Sequence, residues 1–236
     1  MMKGKDQNPP LYFRYKFAFH DGQEKKFELT LNAETLELIS LQQSNPPEWT
    51  KLNYYNCDDC PLIGKVDYCP VAVNFSAIVD SFRDTLSYAN AFITVETEER
   101  IYSKDTAVQK GLSSIIGICM TTSNCPILDE LRPMTRFHLP FATTHETLYR
   151  AVSYYLTRQF FVAQDGKQPD WGLNHLIEIY TKISMVNKGI AKRVLHASEK
   201  DANVNAVVIL HSYGDLISFF IENNLAEIKY LFQKFI

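Results

Sequence analysis

The chain predicts an α+β fold: N-terminal antiparallel β-hairpins with interleaved short helices, followed by a C-terminal helical bundle. Three observations carry this. Residues with period-two alternation lie early in the sequence, with a hairpin turn signal between them. The final hundred residues carry apolar stripes at helical spacing instead. Strands gathered at one end and helices at the other argue against a doubly wound parallel sheet.

Leu11 to Phe19 alternates, with Phe13, Tyr15, Phe17 and Phe19 opposite Tyr12, Arg14, Lys16 and Ala18. Asp21-Gly22 is a turn dipeptide, and Phe27, Leu29 and Leu31 form the return strand. Pro46-Pro47 marks a loop, and a cysteine-rich loop runs from Asn56 to Pro70. Phe75, Ile78, Val79, Phe82 and Leu86 are spaced for a short helix. A second hairpin is expected from Phe92 to Glu96 and Arg100 to Ser103, turning at Glu98-Glu99. Val108, Leu112, Ile115, Ile116 and Cys119 form the stripe of the next helix, with Asp105 or Thr106 as its cap.

Thr143-x-x-Glu146 is a capping box, and Leu148, Val152, Tyr155, Leu156 and Phe160 form the apolar face behind it. Asp170 is placed to cap a long helix with the stripe Leu173, Leu176, Ile177, Tyr180, Ile183, Asn187, Ile190 and Val194. A last segment starts near Asp201 to Asn203. Gly214 weakens its midpoint, which predicts two helices or one kinked helix. Residues 1–125 then form a β-rich lobe with the cysteine loop and 126–236 a helical lobe. No long linker separates them, so we read one continuous domain.

Composition narrows the function classes. The 236 residues are 46% hydrophobic, enough to offset ordering entropy, and the net charge of −3 supplies no basic field for a nucleic-acid backbone. The polar start Met1-Met2-Lys3-Gly4-Lys5-Asp6 lacks a signal-peptide core, and the richest apolar run, Val204 to Ile221, is interrupted by His211, Gly214 and Asp215. We therefore expect a cytoplasmic protein with no membrane and no nucleic-acid partner. In that compartment five cysteines are core thiols, redox thiols or metal ligands rather than stable disulfides.

Periodicity sorts those five. Cys119 lies on an apolar stripe and reads as a core residue. Cys57, Cys60, Cys69 and Cys125 fall in loop-like segments, three of them directly before proline. Cys57-Asp58-Asp59-Cys60 has the spacing with which two thiolates chelate one ion from a tight turn. With Cys69 and Cys125 it supplies a four-cysteine site, for zinc or alternatively an iron–sulfur cluster. Two other readings stand beside it: buried structural thiols, and a Cys57/Cys60 redox dithiol. Asp58 and Asp59 argue against the dithiol, because neighbouring carboxylates raise a thiol pKa. They repel a four-thiolate site too, unless they face solvent.

The segment from Leu131 to Phe141 is the other unusual one. Arg132, Arg136 and His138 lie within it, with Arg150 and Arg158 on the following helix. Arginine forks suit carboxylate and phosphate, so Arg132, Arg136 and His138 are candidate contacts for an anionic small molecule or a protein partner. The plainer expectation pairs these arginines with Asp129, Glu130 and Glu146, and treats His138 as a core histidine bonded to a backbone carbonyl. Asp201-Ala202-Asn203-Val204-Asn205 reads as helix capping, or as the lining of a cleft. Glycine-rich phosphate loops, G-x-S-x-G and a zinc-protease motif are missing (Tyr149 stands where the second histidine belongs), so no catalytic residue is assigned.

Cys69-Pro70-Val71-Ala72, Arg132-Pro133-Met134 with Arg136 to Phe141, and Asp201 to Asn205 together resemble an uncharacterised bacterial protein family of unknown function. The resemblance implies a bacterial cytosolic protein and brings no activity or cofactor with it. The expectation from the residues is a metal-binding accessory or binding protein, with the redox protein and the anion binder as alternatives.

Overall fold

The computed structural model describes residues 9–39 and 45–236. Strands β1 (Leu11–Phe19) and β2 (Glu24–Leu31) form the first hairpin, and β3 (Asn90–Glu96) and β4 (Ile101–Ala107) the second. They join in one antiparallel sheet of order β2-β1-β3-β4. The alternation in β1 sets its faces: Phe13, Tyr15 and Phe17 are buried, with Leu29, Leu31, Ile93 and Val95 from neighbouring strands. On the opposite face Arg14 stands across from both Glu28 and Glu96, at 2.8 and 3.2 Å.

Helix α1 (Pro70–Ser81) and helix α2 (Val108–Thr121) pack with each other, and α2 contacts β1, β3 and β4. Gly111 allows α2 to approach this closely, since a Cβ there would lie 2.6 Å from Ile93 and 2.7 Å from Phe17. Helices α3 (Thr144–Gln164), α4 (Asn174–Ala197) and α5 (Ala202–Glu222) form the C-terminal bundle, ending in the short α6 (Ala226–Lys229). α5 packs against α2, α3 and α4, so the buried set runs continuously from Leu11 to Ile228. By length and composition alone α5 could cross a membrane; here one side of it is packed on those helices.

Several elements differ from the sequence reading. α1 begins at Pro70, ahead of the stripe that starts at Phe75, with Cys69 at the end of the cysteine loop as its N-cap residue; proline at the first helical position has no N–H to lose. Asp105 and Thr106 belong to β4 and cap nothing; α2 starts after Ala107 without a side-chain cap. On α3 the capping box of Thr143 and Glu146 forms, but Phe160 is exposed and Gln159 takes the buried position. Asp170 serves α4 from outside the helix, its Oδ2 accepting from the His175 backbone N–H at 2.8 Å. α5 passes through Gly214 without a break, because that glycine is buried against the bundle. The chain turns instead at Asn224-Leu225, both in the left-handed region.

Candidate functional site

Four of the five thiols lie in the region of the α1 N-terminus, the loop after α2 and the middle of α4. Cys57 is buried against α4, its Sγ 3.8 Å from the Val186 carbonyl. Gly189 makes this seat possible, since a Cβ there would lie 2.7 Å from the Cys57 sulfur. Burial pushes the Cys57 thiol up to about 12, and Cys69, Cys60 and Cys125 push it further in the same direction. Cys125 is raised by burial, and Cys69 and Cys60 add to the rise. Such mutual repulsion falls off with separation, so the four thiols share one region of the core. Cys119 is excluded from the group, fully buried on α2 as its periodicity predicts.

Two of these cysteines share a local geometry. In Cys69-Pro70-Val71-Ala72 the backbone N–H groups of Val71 and Ala72 lie beside the Cys69 sulfur without forming a cap hydrogen bond, and they lower its pKa against the larger effect of burial. In Cys125-Pro126-Ile127-Leu128 the N–H groups of Ile127 and Leu128 do the same for Cys125. The cause is the Cys-Pro step. Proline fixes the first turn of a helical segment, and the next two amides lack intrahelical carbonyl partners and stay near the sulfur. Such donors favour a thiolate. Asp58 and Asp59 are exposed, so their charges face solvent.

Arg193 adds a buried positive charge. Its side chain is enclosed at 1% exposure and donates to the carbonyls of Trp49 at 3.2 Å, Lys51 at 2.6 Å and Leu52 at 2.7 Å. Its Nε has no partner, and among the described residues no carboxylate forms an ion pair with it. It lies close enough to Cys57 and Cys69 to pull both thiol pKa values down. The sequence signal was a charged residue three positions after Ile190 on the apolar stripe of α4. As the thiols stand, no group of three or more His, Cys, Asp or Glu among the described residues is set at metal-holding geometry.

The arginine and histidine segment is a 3₁₀ run, Leu128–Phe137. Arg132 is committed to Asp129, to Asn124 at 2.5 Å and to Glu37 at 3.7 Å. Arg136 is exposed, and among the described residues no hydrogen bond or ion pair joins it to Arg132 or His138. Arg158 pairs with Glu130. His138 turns inward, and its partners are hydroxyls, not the expected carbonyl. Nε2 lies 3.1 Å from Tyr15 Oη and 3.0 Å from Ser114 Oγ, and those two oxygens are 2.8 Å apart. Burial, with a smaller contribution from Arg150, lowers His138 to about 3. Ser114 and His138 are at nucleophile–base distance. A base that weak takes no proton at neutral pH, and Tyr15 occupies the same nitrogen, so the trio is a polar knot in the core. Asp201 stands at the N-cap position of α5 but makes no side-chain cap bond there: its carboxylate accepts from the Ser87 N–H and hydroxyl, both at 2.8 Å.

Fold and site together define an α+β protein with four free thiols in one region where the cysteine loop meets the helices. The chain belongs to the family described as Domain of unknown function (DUF6901), whose model matches residues 13–233. No curated protein and no solved structure matches it.

Proposed function

We propose that this chain is a cytoplasmic accessory or binding protein whose halves are clamped by a zinc ion held by Cys57, Cys60, Cys69 and Cys125. The observation that carries the reading is Arg193, a buried cation without a carboxylate partner, beside two of four neighbouring thiols. An unpaired buried charge is strongly unfavourable. Zinc with four thiolates carries a net charge of −2, which gives Arg193 its counter-charge and the inward N–H groups of α1 and the 3₁₀ run their acceptors. Four thiolates close the coordination shell and leave no position for substrate, so the metal is structural. The sulfurs draw together on binding, and Cys57 exchanges its weak contact with Val186 for the metal. A redox dithiol is less well supported, because a buried Cys57 thiol with a raised pKa is a poor attacking group.

Elemental analysis of protein purified under reductant tests this. Expected is about one zinc per chain, lost on replacing any of Cys57, Cys60, Cys69 or Cys125 by serine and kept in Cys119→Ser. Equal metal content in all five variants, or none in the wild type, overturns it. Brown absorbance with iron and sulfide would replace zinc by a cluster.

A further inference from the structure

We propose that the cavity between α2, the Leu128–Phe137 run and the C-terminal bundle binds an amphipathic carboxylate, with the apolar chain inside and the carboxylate on Arg150. The inference is independent of the metal clamp. The cavity holds about 470 Å³, within the range of small-molecule sites. Its walls include Ile118, Leu131, Ile183 and Leu210, which suit a hydrocarbon body. No Asp or Glu lines it, whereas Lys104, Lys110 and Arg150 do.

Three polar groups in the wall have hydrogen-bonding capacity to spare. Tyr180 is 5% exposed and Asn187 2% exposed, and among the described residues neither side chain makes a hydrogen bond. Neither is a sealed, unsatisfied group, since among the described residues the buried side-chain atoms without a partner belong to Arg132, Arg193 and Asn203; both are free to bond an occupant of the cavity. Arg150 uses only Nη2, which donates to the carbonyls of Met134 at 3.3 Å and Phe137 at 2.9 Å. Nη1 and Nε remain, and no carboxylate among the described residues is paired with them. The two carbonyl bonds hold the guanidinium in place, leaving a fork that matches a planar carboxylate. Tyr180 and Asn187 then donate to its oxygens or to a neighbouring acceptor. Sequence reading put the anion on Arg132, Arg136 and His138. The fold ties up the first, exposes the second and keeps the third neutral, and brings Arg150 to the cavity instead.

Calorimetric titration with saturated carboxylates from octanoate to dodecanoate, below their micellar concentrations, tests the proposal, with the matched alcohols as controls. Expected is one carboxylate per chain, bound about tenfold or more tightly than its alcohol, as a hydrogen-bonded charge requires. Arg150→Gln should erase that preference, and Ile209→Trp, which fills the cavity, should abolish binding of both. Arg150 also braces the 3₁₀ run, so Tyr180→Phe and Asn187→Ala give a second reading. Each should weaken the carboxylate more than the alcohol at an unchanged melting temperature. The proposal is overturned if the wild type binds no carboxylate, if alcohol and carboxylate bind equally, or if folded Arg150, Tyr180 and Asn187 variants bind like the wild type.

Discussion

Cys57 sits directly on Gly189 of α4: a Cβ built on that glycine would stand 3.0 Å from the Cys57 Cα and 2.7 Å from its sulfur. The nearer contact is a side chain, but the second is backbone and cannot swing aside. This one approach fixes the cysteine loop against the bundle. Gly189→Ala gains about 1 kcal/mol of helix propensity. Overpacking against backbone opposes it with about 1–3 kcal/mol. The expected net result is a less stable protein in urea denaturation that also holds its zinc less tightly; a stabilised variant would show that the loop moves freely off α4.

Arg193→Met keeps the buried stem but leaves the carbonyls of Trp49, Lys51 and Leu52 without their donor. Losing about 1 kcal/mol per bond, partly offset by removing a buried charge, gives an expected destabilisation of about 2–4 kcal/mol. Zinc affinity, read by chelator competition, should fall as well, because the proposed four-thiolate site would lose its neighbouring cation. Unchanged affinity would separate Arg193 from the cluster.

His138 makes stability depend on pH with a definite sign. Its pKa is about 3 in the fold and about 6.5 in an unfolded chain. Above about 6.5 both states are neutral and the group contributes no slope. As pH falls from there toward 3, the unfolded state takes up the proton and the folded state does not, so stability drops by up to about 1.4 kcal/mol per pH unit. His138→Gln should be less stable at pH 7, having lost its hydroxyl partners and its edge contact with Phe13. Its unfolding free energy should fall less steeply between pH 6 and 4, where parallel curves would contradict a neutral buried imidazole.

Asp201 acts at lower pH. Its carboxylate, bonded to Ser87 and Asn205, is held below the usual carboxylate range. A lowered folded pKa gives stability that is present above the unfolded value of about 3.9 and is lost as pH falls through the folded one. The stability gap between wild type and Asp201→Asn should therefore be constant near neutrality and close below about pH 4. A gap that persists in acid would mean that the tie to Ser87 needs no charge.

The sequence was most informative where a residue's period matches its element. The alternation of β1, the stripe of α2 with Cys119 on it, and the capping box of α3 all stand in the fold as read. Cys57, Cys60, Cys69 and Cys125 were separable from Cys119 for the same reason. What periodicity could not give was pairing across long separations: Arg193 with the carbonyls of Trp49 to Leu52, or His138 with Tyr15 and Ser114. Arg132 and Arg150 look equivalent in the sequence. They differ because Asp129 pairs with Arg132 directly, whereas Glu146, one turn before Arg150, acts on it only from a distance and turns its carboxylate back to the Thr143 cap. Gly214 looked like a helix break because propensity was weighed without the packing that overrides it.

The most direct test of the clamp is X-ray absorption at the zinc edge of the purified full chain. The account predicts a single shell of four sulfur scatterers at about 2.3 Å. A shell of nitrogen or oxygen at about 2.0–2.2 Å, or no zinc edge at all, would contradict it.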